Sequence, residues 1–134
     1  MVKTVLKEST KKKLLKLADF LAKKVKPSWF DIYSFASKGF TEKKCGTTAC
    51  ACGWATVCFP RSGLQLVDDT CDDAYAFLSY KGEEDFVAAA KFFGITIDQS
   101  VFLFQPSYDE NSDSKKGTIN RIRKFVKNNG EIPS

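Results

Sequence analysis

Histidine is absent from this 134-residue chain. That gap removes serine–histidine and cysteine–histidine catalysis, histidine general acid-base chemistry and every histidine metal ligand. Long apolar runs are missing too, since no stretch approaches the roughly 18–20 consecutive apolar residues that span a bilayer. Lys3, Lys7 and Lys11 to Lys13 break up the start of the chain, where a signal peptide would hold its hydrophobic segment. An Arg-rich transit peptide fits no better, because the basic residues there are all lysine and Glu8 and Asp19 lie among them. The expectation is a cytoplasmic protein with no membrane association. The Gly-x4-Gly-Lys-Ser/Thr phosphate loop, the EF-hand spacing, and helix-turn-helix or aromatic RNA-binding motifs are also missing.

What is present suits one folded domain over residues 1–134, with 43% hydrophobic and 13% aromatic residues to build a core. Residues 1–8 and 130–134 read as flexible ends, and 107–117 as a polar, mobile loop. The five cysteines do not form the even, spread pattern of a secreted disulfide framework, because four of them crowd between Cys45 and Cys58. Charge is divided along the chain. Residues 1–26 hold nine lysines against Glu8 and Asp19, and residues 115–127 hold six Lys or Arg and no acid. The intervening residues 27–114 carry six basic and thirteen acidic side chains. Two basic ends flank an acidic middle, a pattern that suits an anionic partner but also the wet faces of amphipathic helices.

Helical punctuation dominates. Ser9 or Thr10 can cap a helix whose Leu14, Leu17, Ala18, Leu21 and Val25 recur at helical spacing, with Lys12, Lys13, Lys16, Lys23 and Lys24 on the other face and Pro27 beyond its end. An irregular aromatic stretch from Trp29 to Phe40 follows. Thr47 or Thr48 can then cap a buried central helix over about 47–59, small or apolar on every side and stopped by Pro60. Leu64 to Val67 reads as a short strand or extended segment. Asp68, Asp69, Asp72 and Asp73 precede an expected helix over Ala74–Tyr80, and Glu83, Glu84 and Asp85 precede another over Phe86–Phe93 that Gly94 ends. Thr96 or Asp98 can cap a short helix ahead of Pro106. Thr118 can cap a last one, with Ile119, Ile122, Phe125 and Val126 inward and Arg121, Arg123, Lys124 and Lys127 outward, ended by Asn129-Gly130. The expected fold is mainly α, five to six helices around the central one.

Three groups could carry chemistry. The Cys-x4-Cys-x-Cys-x5-Cys spacing opposes a zinc site, and Cys50 and Cys52 stand about 200° apart on a helix, so the thiols read as buried packing groups and no metal is expected. Cys45 alone sits where helix N–H groups could make it reactive. Gly46, Thr47 and Thr48 offer backbone N–H groups and hydroxyls to an anion, although capping explains the same residues. The aspartates near 68–73 are equally well explained as caps. No cofactor is implied.

Phe30-Asp31-Ile32, the run from Cys45 to Ala55, Ala88 to Ile95, and Leu103-Phe104-Gln105-Pro106 occur in one order. In these the chain resembles a family of small uncharacterised bacterial and bacteriophage proteins with a Cys-Gly-Thr-x-x-Cys-x-x-Gly-(Trp/His)-Ala signature. The resemblance covers roughly residues 14–127. It implies Cys45 and Cys50 as the signature cysteines and Cys52 as a variable position. It also implies a phage or bacterial source and assigns no catalytic residues. Tyr75 to Glu84 and the lysine-rich start have no counterpart there.

The functional expectation is a non-enzymatic interaction or regulatory protein binding a host macromolecule, with a protein as the partner. Its candidate partner-binding residues are Lys12, Lys13, Lys16, Lys23, Lys24, Arg121, Arg123, Lys124 and Lys127. The alternatives are nucleic-acid binding through the same terminal helices, with Trp29 or Tyr33 nearby, and a small-anion site or enzyme at Cys45–Thr48.

Overall fold

Leucine spacing winds the first helix, α1, over Glu8–Lys24. Leu14, Leu17, Ala18 and Leu21 make one buried stripe, and no Gly or Pro interrupts the run. In this computed structural model residues 6–30, 36–37, 50–68, 75–105 and 114–132 are described. The cap lies two to three residues before the expected Ser9 or Thr10: Lys7 is the N-cap, and Thr10 turns inward in the first turn. Val25 and Lys26 are extended ahead of Pro27, as the residue before a proline prefers, and Pro27–Trp29 forms a single 3-10 turn.

The second helix, α2, covers Ala51–Cys58, shorter than the expected 47–59. Its N-cap is Cys50 rather than Thr47 or Thr48, and the Cys50 side chain makes no capping bond. Ala51, Cys52, Gly53, Ala55 and Cys58 are buried, while Val57 is 37% exposed. The small residues let α2 lie close on α1, where the Cys58 thiol comes within 3.9 Å of the Lys16 carbonyl oxygen. The first helix packs chiefly against the last helix and α2.

A small antiparallel sheet follows. Strand β2 (Gln65–Asp68) realises the expected extended segment and pairs with β3 (Tyr75–Tyr80), which also pairs with β1 (Ala36–Ser37). Lys81 and Gly82, at φ 47° and 85°, make a tight two-residue turn from β3 to β4 (Glu83–Glu84). Of the helix expected over Ala74–Tyr80, the described part, Tyr75–Tyr80, is therefore a strand. Tyr-Ala-Phe-Leu-Ser-Tyr is rich in strand-forming aromatics, and its two-residue hairpin turn can be made only by extended flanks. Residues 69–74, with three of the four aspartates expected to cap that helix, lie outside the described residues. Alternation puts Leu78 and Tyr80 on one face, with Leu78 fully buried and Tyr80 edge-on to Phe92 at 5.3 Å.

Helix α3 (Asp85–Phe93) ends at Gly94, whose φ of 74° is left-handed. A Cβ at Gly94 would meet Thr10 Oγ1 at 2.9 Å, so glycine is needed there for space as well as for conformation. Helix α4 (Ile97–Phe104) opens on the expected Thr96 cap in reciprocal form: the Gln99 N–H donates to Thr96 Oγ1 at 3.1 Å, and the Thr96 N–H donates to Gln99 Oε1 at 2.9 Å. The two helices meet at 108°. Helix α5 (Lys115–Lys127) begins one turn before the expected Thr118 cap, because Ser114 accepts a bond from the Gly117 N–H at 3.0 Å. Residues 115–117, expected in a loop, are helical, and 106–113 lie outside the described residues. Asn129 and Gly130, both at positive φ, close α5 as the sequence indicates.

The fold is mainly α, with five α-helices and the small sheet among the described residues. One buried cluster runs from Leu6 to Val126. Within it the Phe59 ring packs on Phe92 and Phe93, and Phe104 packs on Phe93. Among the described residues no single helix is long and apolar enough to cross a membrane.

Candidate anionic-partner interface

Helices α1 and α5 hold six Lys or Arg each, against Glu8 and Asp19 alone. The fold brings them side by side and antiparallel. At one end Lys115 Nζ donates to the Val25 carbonyl at 2.8 Å, and midway Arg123 and Asp19 pair at 3.1 Å. At the other end Leu6 reaches Gly130, where a Cβ would lie 2.8 Å from Leu6 Cδ2. The two basic segments, remote in sequence, thus share one side of the molecule.

Not every cation on these helices is available. A helix leaves its last carbonyls without partners inside the helix, and its C-terminus carries partial negative charge. Three basic side chains serve these ends: Lys115 caps α1 at Val25, Lys13 Nζ donates to the Phe92 carbonyl of α3 at 2.8 Å, and Arg121 donates to the Leu103 carbonyl of α4 at 3.1 Å. Lys13 also stands 4.5 Å above the Phe92 ring and Lys16 lies 5.0 Å over the Phe59 ring. Of the expected partner-binding residues, Lys13 and Arg121 are therefore half-buried parts of the fold. Lys12, Lys16, Lys23, Lys24, Arg123, Lys124 and Lys127 are exposed.

Helical geometry sorts the exposed set. At about 100° per residue, Lys12, Lys16 and Lys23 fall within a sector of about 40° on the outward side of α1. Lys116, Arg123 and Lys127 fall within a similar sector of α5, the one that adjoins α1 through Arg123 and Asp19. Lys24 lies on the flank of α1 away from α5. Antiparallel packing sets Lys12 toward Lys127 and Lys23 toward Lys116. Lys12, Lys23, Lys116, Lys124 and Lys127 make no ion pair among the described residues. Sequence reasoning missed Lys116, which fell in the expected loop, although the basic run from 115 to 127 already held the signal.

The other candidate groups fare differently. Cys45, Gly46, Thr47 and Thr48 lie outside the described residues, and the N-cap of α2 is Cys50, two residues beyond Thr48. Cys50, Cys52 and Cys58 are buried. Burial first, then the neighbouring Cys50, pushes the Cys52 thiol well above its ordinary range. Burial also raises Cys58, against the opposing pull of Lys16. Neither is a nucleophile near neutral pH. Among the described residues no three His, Cys, Asp or Glu are grouped to hold a metal ion. Trp29 is stacked on Trp54 at 6.1 Å, and the Trp54 indole N–H donates to the Trp29 carbonyl at 3.1 Å, so this aromatic is spent on packing. Tyr33 lies outside the described residues. The right-angled α3–α4 pair with its glycine turn has helix-turn-helix proportions, but the exposed side of α4 shows Ile97, Asp98 and Gln105 and no cation for a phosphate.

Asp85 is a charged residue held at positive φ. It opens α3 at φ 55°, with Oδ1 buried and without a hydrogen bond. Burial raises its pKa, against a backbone hydrogen bond from Leu78. A carboxyl raised above its unfolded value binds protons more tightly in the folded state, so its contribution to stability falls as pH rises out of the ordinary carboxylate range. Asn keeps the shape, tolerates positive φ and removes the titration. Asp85→Asn is therefore expected to show a smaller loss of thermal midpoint between about pH 3 and pH 6 than the parent protein, read by circular dichroism melts across that range. Parallel curves would remove Asp85 as the source.

Neither known protein families, nor curated proteins, nor solved structures yield a match to this chain.

Proposed function

We propose that this protein is a non-enzymatic binding protein that takes an anionic macromolecule on the joint outward face of α1 and α5. The observation that carries this reading is the antiparallel packing of the two basic helices, with exposed lysines on both that make no ion pair among the described residues. Lysine rows that adjoin in space sum their potentials, which raises the encounter rate with polyanions and holds them after contact. Of the two acids on these helices, Asp19 is committed to Arg123 and Glu8 to Lys11. The family resemblance extends the proposal to a phage- or mobile-element-encoded factor acting on a macromolecule in the host cytoplasm.

The test separates the face from net charge. One variant carries Lys12→Glu, Lys23→Glu, Lys124→Glu and Lys127→Glu. A control carries Lys24→Glu, Arg61→Glu, Lys81→Glu and Lys91→Glu, exposed positions away from α5 and from the α1 row, with an equal change in charge. On an immobilised sulfated polysaccharide, the parent and the control are expected to elute at similar salt and the face variant to wash through. Equal loss of retention in both variants would reduce the interaction to net charge and defeat the proposal.

A further inference from the structure

We infer that the macromolecule is a nucleic-acid duplex, gripped through its phosphates without reading of the bases. This rests on the proposed function and names its partner. The first argument is dimensional. Lys12 to Lys23 on α1 and Lys116 to Lys127 on α5 each span about 16 Å at 1.5 Å per residue. Packed helix axes lie about 8–10 Å apart, and lysines on their outward sides splay somewhat wider. Two such rows match two phosphate backbones that flank a groove of about 6–12 Å, with several phosphates within reach of each row.

The second argument is compositional and turns on what lies between the rows. A protein partner needs a desolvated centre rich in aromatic residues, and lysine is depleted from such interfaces. Here the only large apolar side chain among the described residues of the face is Leu15, 40% exposed. A membrane surface would need an apolar wedge of several such residues, and single strands would need exposed rings for stacking. The rings beside α1 are instead committed inward: Phe20 packs on Trp54 at 6.5 Å, and Trp54 stacks on Trp29. Bidentate base readout uses Arg, Asn or Gln, and the face offers Asn120 and an Arg123 already held by Asp19. Flexible ammonium groups in two rows suit phosphate oxygens rather than base edges.

The experiment measures fluorescence anisotropy with a labelled mixed-sequence DNA duplex of about two helical turns, an RNA duplex and a single strand of the same sequence, polyglutamate, and phosphatidylserine vesicles. Five lysines without an ion pair among the described residues (Lys12, Lys23, Lys116, Lys124 and Lys127) give an expected salt slope of about −4 to −5, or about a 10²–10³-fold loss of duplex affinity between about 50 and 200 mM salt. Lys12→Ala with Lys127→Ala, both exposed and without ion pairs among the described residues, should make the slope shallower by about two. Two unrelated duplex sequences should bind within about twofold, and the relative affinity for DNA and RNA identifies the source of the duplex. Face-dependent binding of polyglutamate, vesicles or single strands in place of duplex would overturn the duplex assignment and leave the proposed function standing. Binding of none of these probes at low salt would overturn both, and a sequence preference above about tenfold would overturn the absence of base readout.

Discussion

Phe93→Ala is expected to cost about 3–5 kcal/mol of folding free energy, a large share of the roughly 5–15 kcal/mol that holds a protein of this size together. Phe93 closes α3 with 1% of its surface exposed. Its ring lies 4.9 Å from that of Phe92, 5.6 Å from Phe104 and 6.3 Å from Phe59, so it joins α3, α4 and the end of α2. Alanine removes both the transfer free energy of the ring and the aromatic contacts, and the neighbouring rings are fixed by their own helices and cannot close the void. Urea denaturation should show a lower midpoint with an unchanged slope. Phe93→Leu should recover more than half of the loss. A cost under about 1 kcal/mol for the alanine variant would mean that the core is organised elsewhere.

Lys13→Glu is expected to lose about 2–3 kcal/mol, where Lys12→Glu, next to it in sequence, should stay within about 0.5 kcal/mol of the parent. The difference follows from position. Lys13 donates to the exposed end of α3 at the Phe92 carbonyl and lies over the Phe92 ring, whereas Lys12 points to solvent. A carboxylate at 13 would strip the carbonyl of its donor and set negative charge against both the helix terminus and the face of the ring. Lys13→Met, which keeps the stem, should lose less than Lys13→Glu. Equal midpoints for the two glutamate variants would show that the bond to Phe92 contributes nothing. The pair also sets a rule for testing function here, since charge reversal at Lys13 confounds unfolding with loss of binding and reversal at Lys12 does not.

Elements whose pattern is local were legible in the sequence. Leu14 to Leu21 at helical spacing identified α1, Gly94 and Thr96 marked the break between α3 and α4, and Asn129-Gly130 ended α5. Tyr75–Tyr80 was misread because the aspartates before it look like a helix cap, while the Lys81-Gly82 turn that makes it a hairpin strand is a weak signal. Lys116 was missed for a similar reason: Ser114 and Gly117 resemble loop residues until Ser114 is seen to accept the bond from the Gly117 N–H. The candidate interface itself was half legible. Both basic segments stood out as charge runs, but nothing in a linear pattern says that Asp19 meets Arg123, or which cations are drawn away to cap helix ends.

Asp19 and Arg123 are 104 residues apart in the chain, so the shared face is made by the closing of a very long loop. Contacts of that separation form late and slowly, because the chain entropy lost on closure must be met before the contact is made. A nascent or truncated chain that lacks the last helix carries one row of lysines and no face. A ligand that spans both rows therefore binds only the fully closed chain, and by mass action it must stabilise the whole fold, by about 2.7 kcal/mol at a hundredfold excess over its dissociation constant.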